Sequence, residues 1–160
     1  ISQIIGKLES GDNVALVTDA GTPGIQDPGG KLVQAATKSG ITIVPIPGPS
    51  ALTTALSAAG IPADQFYFLG FLPKKKGRQT LFKNISTLKA PLVIYESPFR
   101  VLKTLKDIQE HLGDREIILG RELTKKFEEI RRATTLELID HFNTTKPKGE
   151  FVIIVLSEIY

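Results

Sequence analysis

The chain has 160 residues, 41% of them apolar and 23% charged, with a net charge of +3, two histidines and no cysteine. This is the balance of a folded globular chain, and it excludes disorder, a disulfide framework and a thiolate metal site; His111 and His141 lack ligand-like spacing, so no metal is expected. No apolar run approaches the roughly 20 residues that span a bilayer, and ISQIIGKLESGDN lacks the charged head and apolar segment of a leader.

A cytoplasmic protein without a membrane partner is therefore expected, and from the lack of methionine, even at position 1, the chain is expected to be a processed or truncated piece of a longer one. Along it, NVALVTD (13–19) reads as a short buried strand feeding a loop. GGKLVQAATKSG (29–40) reads as a helix with Leu32, Val33 and Ala36 on one face, stopped by Gly40. ITIVPIPG (41–48) is the next strand, with Pro45 and Pro47 placing it near an edge or ending it early. PSALTTALSAAG (49–60) is a small-residue helix entered at Pro49. Short apolar strands alternating with helices imply parallel pairing with helices covering the sheet.

GIPADQ (60–65) breaks this rhythm and divides a first lobe, 1–62, from a second, 63–160. The second begins with FYFLGF, a helix around RQTLFKNISTL, the strand PLVIYES, and the helix PFRVLKTLKDIQEHLG. In that helix Val101, Leu102, Leu105, Ile108 and Leu112 keep the 3, 4 and 7 spacings of a core-facing stripe. EIILGREL and FEEIRRAT read as strands, TLELIDHF as a helix and GEFVIIVL as a last strand. Strands adjacent in sequence predict a mixed second sheet. The fold class is α/β in two lobes.

Two loops carry the chemistry of the first lobe. AGTPG (20–24) and PGPSA (47–51) each follow a predicted strand, where open α/β sheets bind ligands. If the strands are neighbours, the loops lie side by side and offer backbone amides, the Thr22 and Ser50 hydroxyls and a helix N-terminus. The alternative is two tight turns, which the same residues also build. Neither loop is GxGxxG or GxxxxGK[ST], so the dinucleotide and P-loop fingerprints are absent.

Charge is unevenly spread. Residues 71–132 carry a local net of +7, against −4 for the rest. Lys74, Lys75, Lys76 and Arg78, then Arg100, and then Arg121 with Lys125 and Lys126, suit a polyanion, although a solvated surface would look the same.

VALVTDAGTPGIQDPG, VPIPGPSALTTALSAAGIP, FLGFLPKKKG, IYESPFR, GRELTKKFEE and KPKGEFVIIV, in this order, make the chain resemble the tetrapyrrole methylase superfamily. More narrowly, they resemble its ribosomal branch, the small-subunit ribosomal RNA ribose 2′-O-methyltransferase I family. The resemblance implies two α/β lobes, S-adenosylmethionine as cofactor in the cleft between them and a homodimer. It further implies methyl transfer to the ribose 2′-hydroxyl of a cytidine in small-subunit ribosomal RNA, free or assembled into the subunit. Carried over by position, Gly21, Thr22, Pro23 and Ile25 line the cofactor, followed by Ser50 and Ala51. In the second lobe Tyr95 and Glu96, Leu123, and Gly149 with Glu150 close over it. The resemblance also implies a preceding segment with a first strand and a glycine-rich loop, without which the chain is expected to be inactive.

The family pattern reads ESPHR and ELTKxHEE, and here Phe99 and Phe127 stand at both histidines. No histidine base is therefore assigned. Methyl transfer from a sulfonium is an in-line displacement dominated by positioning, with a base or an alkoxide stabiliser assisting. Glu96, Glu122 and Lys125 are the candidates for that assistance, with Lys74, Lys75, Lys76, Arg78, Arg100 and Arg121 for RNA phosphates. An Arg121–Glu122 ion pair of purely structural use is the competing reading. A small-molecule tetrapyrrole methylase, or a silent nucleic-acid-binding fragment, are the competing functions.

Overall fold

The computed structural model describes residues 1–157. The chain folds as two compact units, Ile1–Ser50 and Ala51–Tyr160.

The first unit holds two helices, α1 (Ser2–Glu9) and α2 (Gly30–Lys38). Helix α1, which the sequence reading did not anticipate, half-buries Ile4, Ile5 and Leu8 on one side. Helix α2 starts at Gly29, whose φ of 129° suits glycine. A Cβ there would stand 2.5 Å from Leu16 Cδ2, so the Leu16 side chain sets how close that helix start can come.

The expected strands 13–19 and 41–48 pair in no ladder, and the parallel sheet expected of this lobe is not formed among the described residues. One reason lies in the second segment. Each proline in VPIPGP pushes the residue before it toward extended backbone, where alternate N–H groups face one side. Pro45, Pro47 and Pro49 therefore strip that side of its donors. Val17, Val44 and Ile46 stand 81%, 71% and 75% exposed, and Ala36 is the one buried side chain among the described residues of this unit.

The second unit is built on five strands: β1 (Tyr67–Phe71), β2 (Leu92–Glu96), β3 (Glu116–Arg121), β4 (Glu129–Thr134) and β5 (Phe151–Val155). Their order is β1-β2-β5-β3-β4. β1 and β2 are parallel, whereas β5 runs antiparallel to both β2 and β3, and β4 antiparallel to β3. The mixed sheet expected for this lobe is present.

Alternation along the central strands serves both faces. Ile94, Ile117, Leu119, Phe151 and Ile153 join Phe82, Leu105, Ile108, Leu138 and Phe142 in one core. The latter five come from α4 (Arg78–Ile85), α5 (Val101–Leu112) and α6 (Thr135–Thr144). The 3, 4 and 7 spacing of 101–112 thus does place Val101, Leu105 and Ile108 inside. Helix α6 is opened by a capping box, in which the Thr134 side chain accepts from Glu137 N–H and Glu137 accepts from Thr134 N–H.

Val93, Ile118, Val152 and Ile154 point to the opposite face, against Ala55, Leu56 and Ala59. The first two of these lie on α3 (Ala51–Ala58). Small side chains let this helix approach the sheet, and α3 is counted in the same compact unit as the sheet.

Candidate active site at the strand ends

The pairing brings the carboxyl ends of β1, β2 and β3 and the amino ends of β4 and β5 to one rim of the second sheet. Loops 72–77, 97–100, 122–128 and 145–150 all sit there. Every site residue expected beyond position 62 lies on this rim or next to it.

Glu122 and Glu150 are its most tightly tied pair. Glu122 N–H donates to Glu150 O at 2.9 Å, and Glu150 N–H donates back to Glu122 Oε1 at 2.9 Å. Lys125 Nζ donates to both, at 3.1 Å to Glu122 Oε1 and 2.9 Å to Glu150 Oε2. The Glu150 amide, then the Lys125 ammonium, hold the Glu122 carboxyl below its usual range. Glu150, then Glu122, raise Lys125 above its own. The group is thus one ammonium bridging two carboxylates, with Glu122 a weak base and two of the three Lys125 N–H donors taken by the pair.

Backbone geometry shapes this knot. Glu122 has a φ of 46° and Gly149 a φ of 87°. A Cβ on Gly149 would lie 2.4 Å from Glu122 Cγ, so only glycine lets the two loops close. Leu123, half-buried, lies over Gly120, where a Cβ would meet its Cδ1 at 3.1 Å.

On β2, neighbouring residues face opposite ways. The Tyr95 hydroxyl accepts from Leu52 N–H at 2.8 Å, satisfying an orphan donor in the first turn of α3 beside Ala51, and its ring meets Phe68 and Phe71 edge-on. Glu96 is 1% exposed and accepts from Ser97 N–H at 2.8 Å and from Thr104 Oγ1 at 2.7 Å. Its Oε1 also lies 3.4 Å from Arg100 Nε. Thr104 in turn accepts from Arg78 Nη2 at 2.9 Å, and Arg78 pairs with Asp107 at 2.6 Å.

Two residues expected on the RNA face thus belong to an interior network. Arg78 is buried and donates from Nη1 to Pro73 O at 3.0 Å, while Arg100 donates from Nη2 to Leu72 O at 2.6 Å. Both hold the main chain at the foot of the loop that exposes Lys74, Lys75 and Lys76. Arg121, at the end of β3, donates to Lys148 O at 2.7 Å and faces Glu129 at 3.4 Å, lining a cavity of about 430 Å³ with Arg131, His141 and Lys146. Its pairing with Glu122, weighed from sequence, is replaced by Glu129.

Sequence reasoning missed Thr104 and Asp107 altogether. Their signal was present but faint: both stand on the α5 sequence one turn or so from its apolar stripe, where buried polar groups need partners.

In the first unit, Thr22 Oγ1 donates to Pro49 O at 3.1 Å, so the loops 20–24 and 47–50 do meet. A Cβ on Gly21 would reach Pro49 O at 3.8 Å and one on Gly48 would reach Thr22 Oγ1 at 3.4 Å. Gly21 and Gly24 have φ of 80° and 82°. Pro23 is half-buried, Ile25 is exposed and closes a turn to Thr22 O at 3.3 Å, and Ser50 is half-buried at the end of the second loop. These loops present bare backbone, as a cradle for a small polar ligand requires.

Among the described residues no helix is long and apolar enough to cross a membrane.

Comparison with known proteins follows the same lines. Residues 1–139 match the model of the Tetrapyrrole (Corrin/Porphyrin) Methylases. The chain is 44% identical over 155 residues to "Ribosomal RNA small subunit methyltransferase I" of Thermotoga maritima, covering 97% of itself and 70% of that relative. It is 48% identical over 156 residues to the protein of the same name from Escherichia coli O157:H7, of which it spans 54%. Among solved structures, diphthine synthase aligns over 98% of this chain and 64% of its own with a TM-score of 0.73 at 15% identity. Uroporphyrin-III C-methyl transferase from Thermus thermophilus, complexed with S-adenosylhomocysteine, aligns over 87% of this chain and 63% of its own with a TM-score of 0.58 at 18% identity. Fold, motif order and these likenesses agree: the chain belongs to the tetrapyrrole methylase family.

Proposed function

We propose that this chain is part of an S-adenosylmethionine-dependent methyltransferase that modifies the ribose 2′-hydroxyl of a cytidine in small-subunit ribosomal RNA. The observation that carries the reading is the 44% identity over 155 residues with a relative named for small-subunit ribosomal RNA methylation. The exposed Lys74, Lys75 and Lys76 loop on the strand-end rim supports a polyanionic substrate.

The residues present fit the donor. Positive φ at Gly21 and Gly24 and the Thr22–Pro49 contact bring the two loops together, and the amides of Gly21, Gly24 and Gly48 belong to residues without side chains, suited to a carboxylate and ribose hydroxyls. By position in the family pattern Gly21, Thr22, Pro23, Ile25, Ser50, Ala51, Tyr95, Glu96, Leu123, Gly149 and Glu150 are the residues assigned to the donor, with Glu96 acting through the Ser97 turn that it pins. When bound, the sulfonium supplies an electrophilic methyl group.

The chain's own residues then have three tasks. The lysine loop and Arg121 hold RNA phosphates, while Arg78 and Arg100 fix the backbone beneath that loop. Lys125, kept protonated by Glu122 and Glu150, stabilises the oxyanion that develops as the hydroxyl proton leaves. Glu122 accepts that proton weakly, so alignment of the hydroxyl contributes more than base strength. The working protein is a cytoplasmic homodimer.

Incubating the full-length protein with methyl-labelled donor and small ribosomal subunits, then mapping the label, tests this. Label on one cytidine ribose is the expected result. Label found only on a tetrapyrrole ring, or on neither, overturns it.

A further inference from the structure

Two phenylalanines on the strand-end rim are left out of every core. Phe99, in the turn between β2 and α5, is 91% exposed, and Phe127, in the β3–β4 loop, is 64% exposed. Neither ring packs on another aromatic ring among the described residues, although Lys126 Nζ stands 5.6 Å from the centre of Phe127. By contrast Phe71, on the same rim, leans on Tyr95.

Their placement is set by topology. β2 and β3 both flank β5 and point the same way, so their carboxyl ends lie about 10 Å apart, two strand spacings. The loops beside them expose Lys74, Lys75, Lys76, Lys126, Lys146 and Lys148. The carboxylates on this rim are already engaged: Glu122 and Glu150 by Lys125, and Glu128 by Thr124 N–H. What remains is cationic charge around two exposed rings, with Lys126 over one face of Phe127.

An apolar protein partner would need a continuous apolar patch, yet Phe127 lies between the exposed Lys126 and Glu128, and the neighbouring loop exposes Lys74, Lys75 and Lys76. Isolated rings interleaved with ammonium groups instead match unpaired nucleotides, whose bases stack on aromatic faces while lysines take the phosphates. We propose that Phe99 and Phe127 are stacking platforms for unpaired bases of the RNA substrate, flanking the nucleotide to be modified. This rests on the RNA methyltransferase reading and adds to it the requirement that the target segment be single-stranded.

Anisotropy of a labelled, unstructured RNA of about 12 nucleotides with the full-length protein at fixed salt reads the effect. Phe99→Ala and Phe127→Ala should each weaken binding roughly five- to tenfold, and Phe99→Trp and Phe127→Trp should restore it. The slope of log affinity against log salt should be unchanged in the alanine variants and shallower when Lys74, Lys75 and Lys76 become alanine. Alanine variants that bind RNA like the parent overturn the proposal, as does an effect confined to oligomeric state by sedimentation, which would make the rings a contact between copies. If the parent methylates small subunits while both alanine variants bind normally, the platforms fail and the enzymatic reading stands. A parent that binds donor but no RNA sinks both.

Discussion

Arg78 and Asp107 meet at 2.6 Å with only 7% and 17% of their side chains exposed, and Arg78 reaches from there to Thr104, whose hydroxyl donates to Glu96. A residue that looks from sequence like one more member of KKKGR is thus an internal tie between α4, α5 and β2. Removing one partner leaves the other charge buried without compensation. Arg78→Ala should therefore destabilise the protein by about 3 kcal/mol, measured by denaturant unfolding. Arg78→Lys should recover little, because an ammonium cannot serve Pro73, Thr104 and Asp107 in the guanidinium's fixed fork. Stability of the lysine variant equal to the parent would show that the fork is dispensable.

Gly149 faces Glu122 across the rim, with no room for a methyl group at a positive φ. Gly149→Ala should cost about 1–3 kcal/mol of stability from strain alone. Glu122→Gly removes the obstructing side chain and relieves a second left-handed residue, so the double variant should be less destabilised than the two single effects combined. A double-variant cycle with additive effects would mean that the loops do not press on each other.

Acid sensitivity follows from the same carboxylate. Glu122 has a folded pKa below its unfolded one, so its stabilising contribution is complete above the unfolded carboxylate range and is lost as pH falls through the folded value. Glu116, lowered chiefly by its hydrogen bond from Arg132, acts in the same direction. Lys125 has the opposite sign: its raised pKa contributes stability at neutral pH that is lost only as alkaline pH passes through the folded value. Melting temperatures of the parent and Glu122→Gln, compared from neutral pH downward, should converge in acid. A gap that stays constant with pH would contradict this.

Tyr95 should matter for α3 before it matters for anything else. Tyr95→Phe leaves Leu52 N–H without its acceptor, at a cost of about 1 kcal/mol. Amide exchange at Leu52 should accelerate while the β2 amides stay protected.

Legibility from sequence varied with the physics behind each feature. Apolar runs such as PLVIYES and EFVIIV become strands because both faces of a central strand are buried, so hydrophobicity alone marks them. NVALV and ITIVPIP look the same by composition, yet a strand also needs a neighbour's hydrogen bonds, and that information is not local. Charge was readable, but not which arginines point inward: Arg78 shares KKKGR with solvent-facing lysines, and it and Arg100 are told apart by the carbonyls and carboxylates that await them. The meeting of Thr22 with Pro49 was foreseeable because small residues at two successive loops permit it. Glu96, an apparent candidate for chemistry, lies sealed under Thr104 because β2 alternates and places it on the face covered by α5.

The run of prolines at 45, 47 and 49 has a last consequence. With donors missing from one flank, the segment can zip to a new strand only along the other, through the amides of Val44, Ile46 and Gly48. Exposed valine and isoleucine would otherwise invite unwanted fibrillar stacking from either direction, and the imino acids leave a single side on which any such addition can take hold.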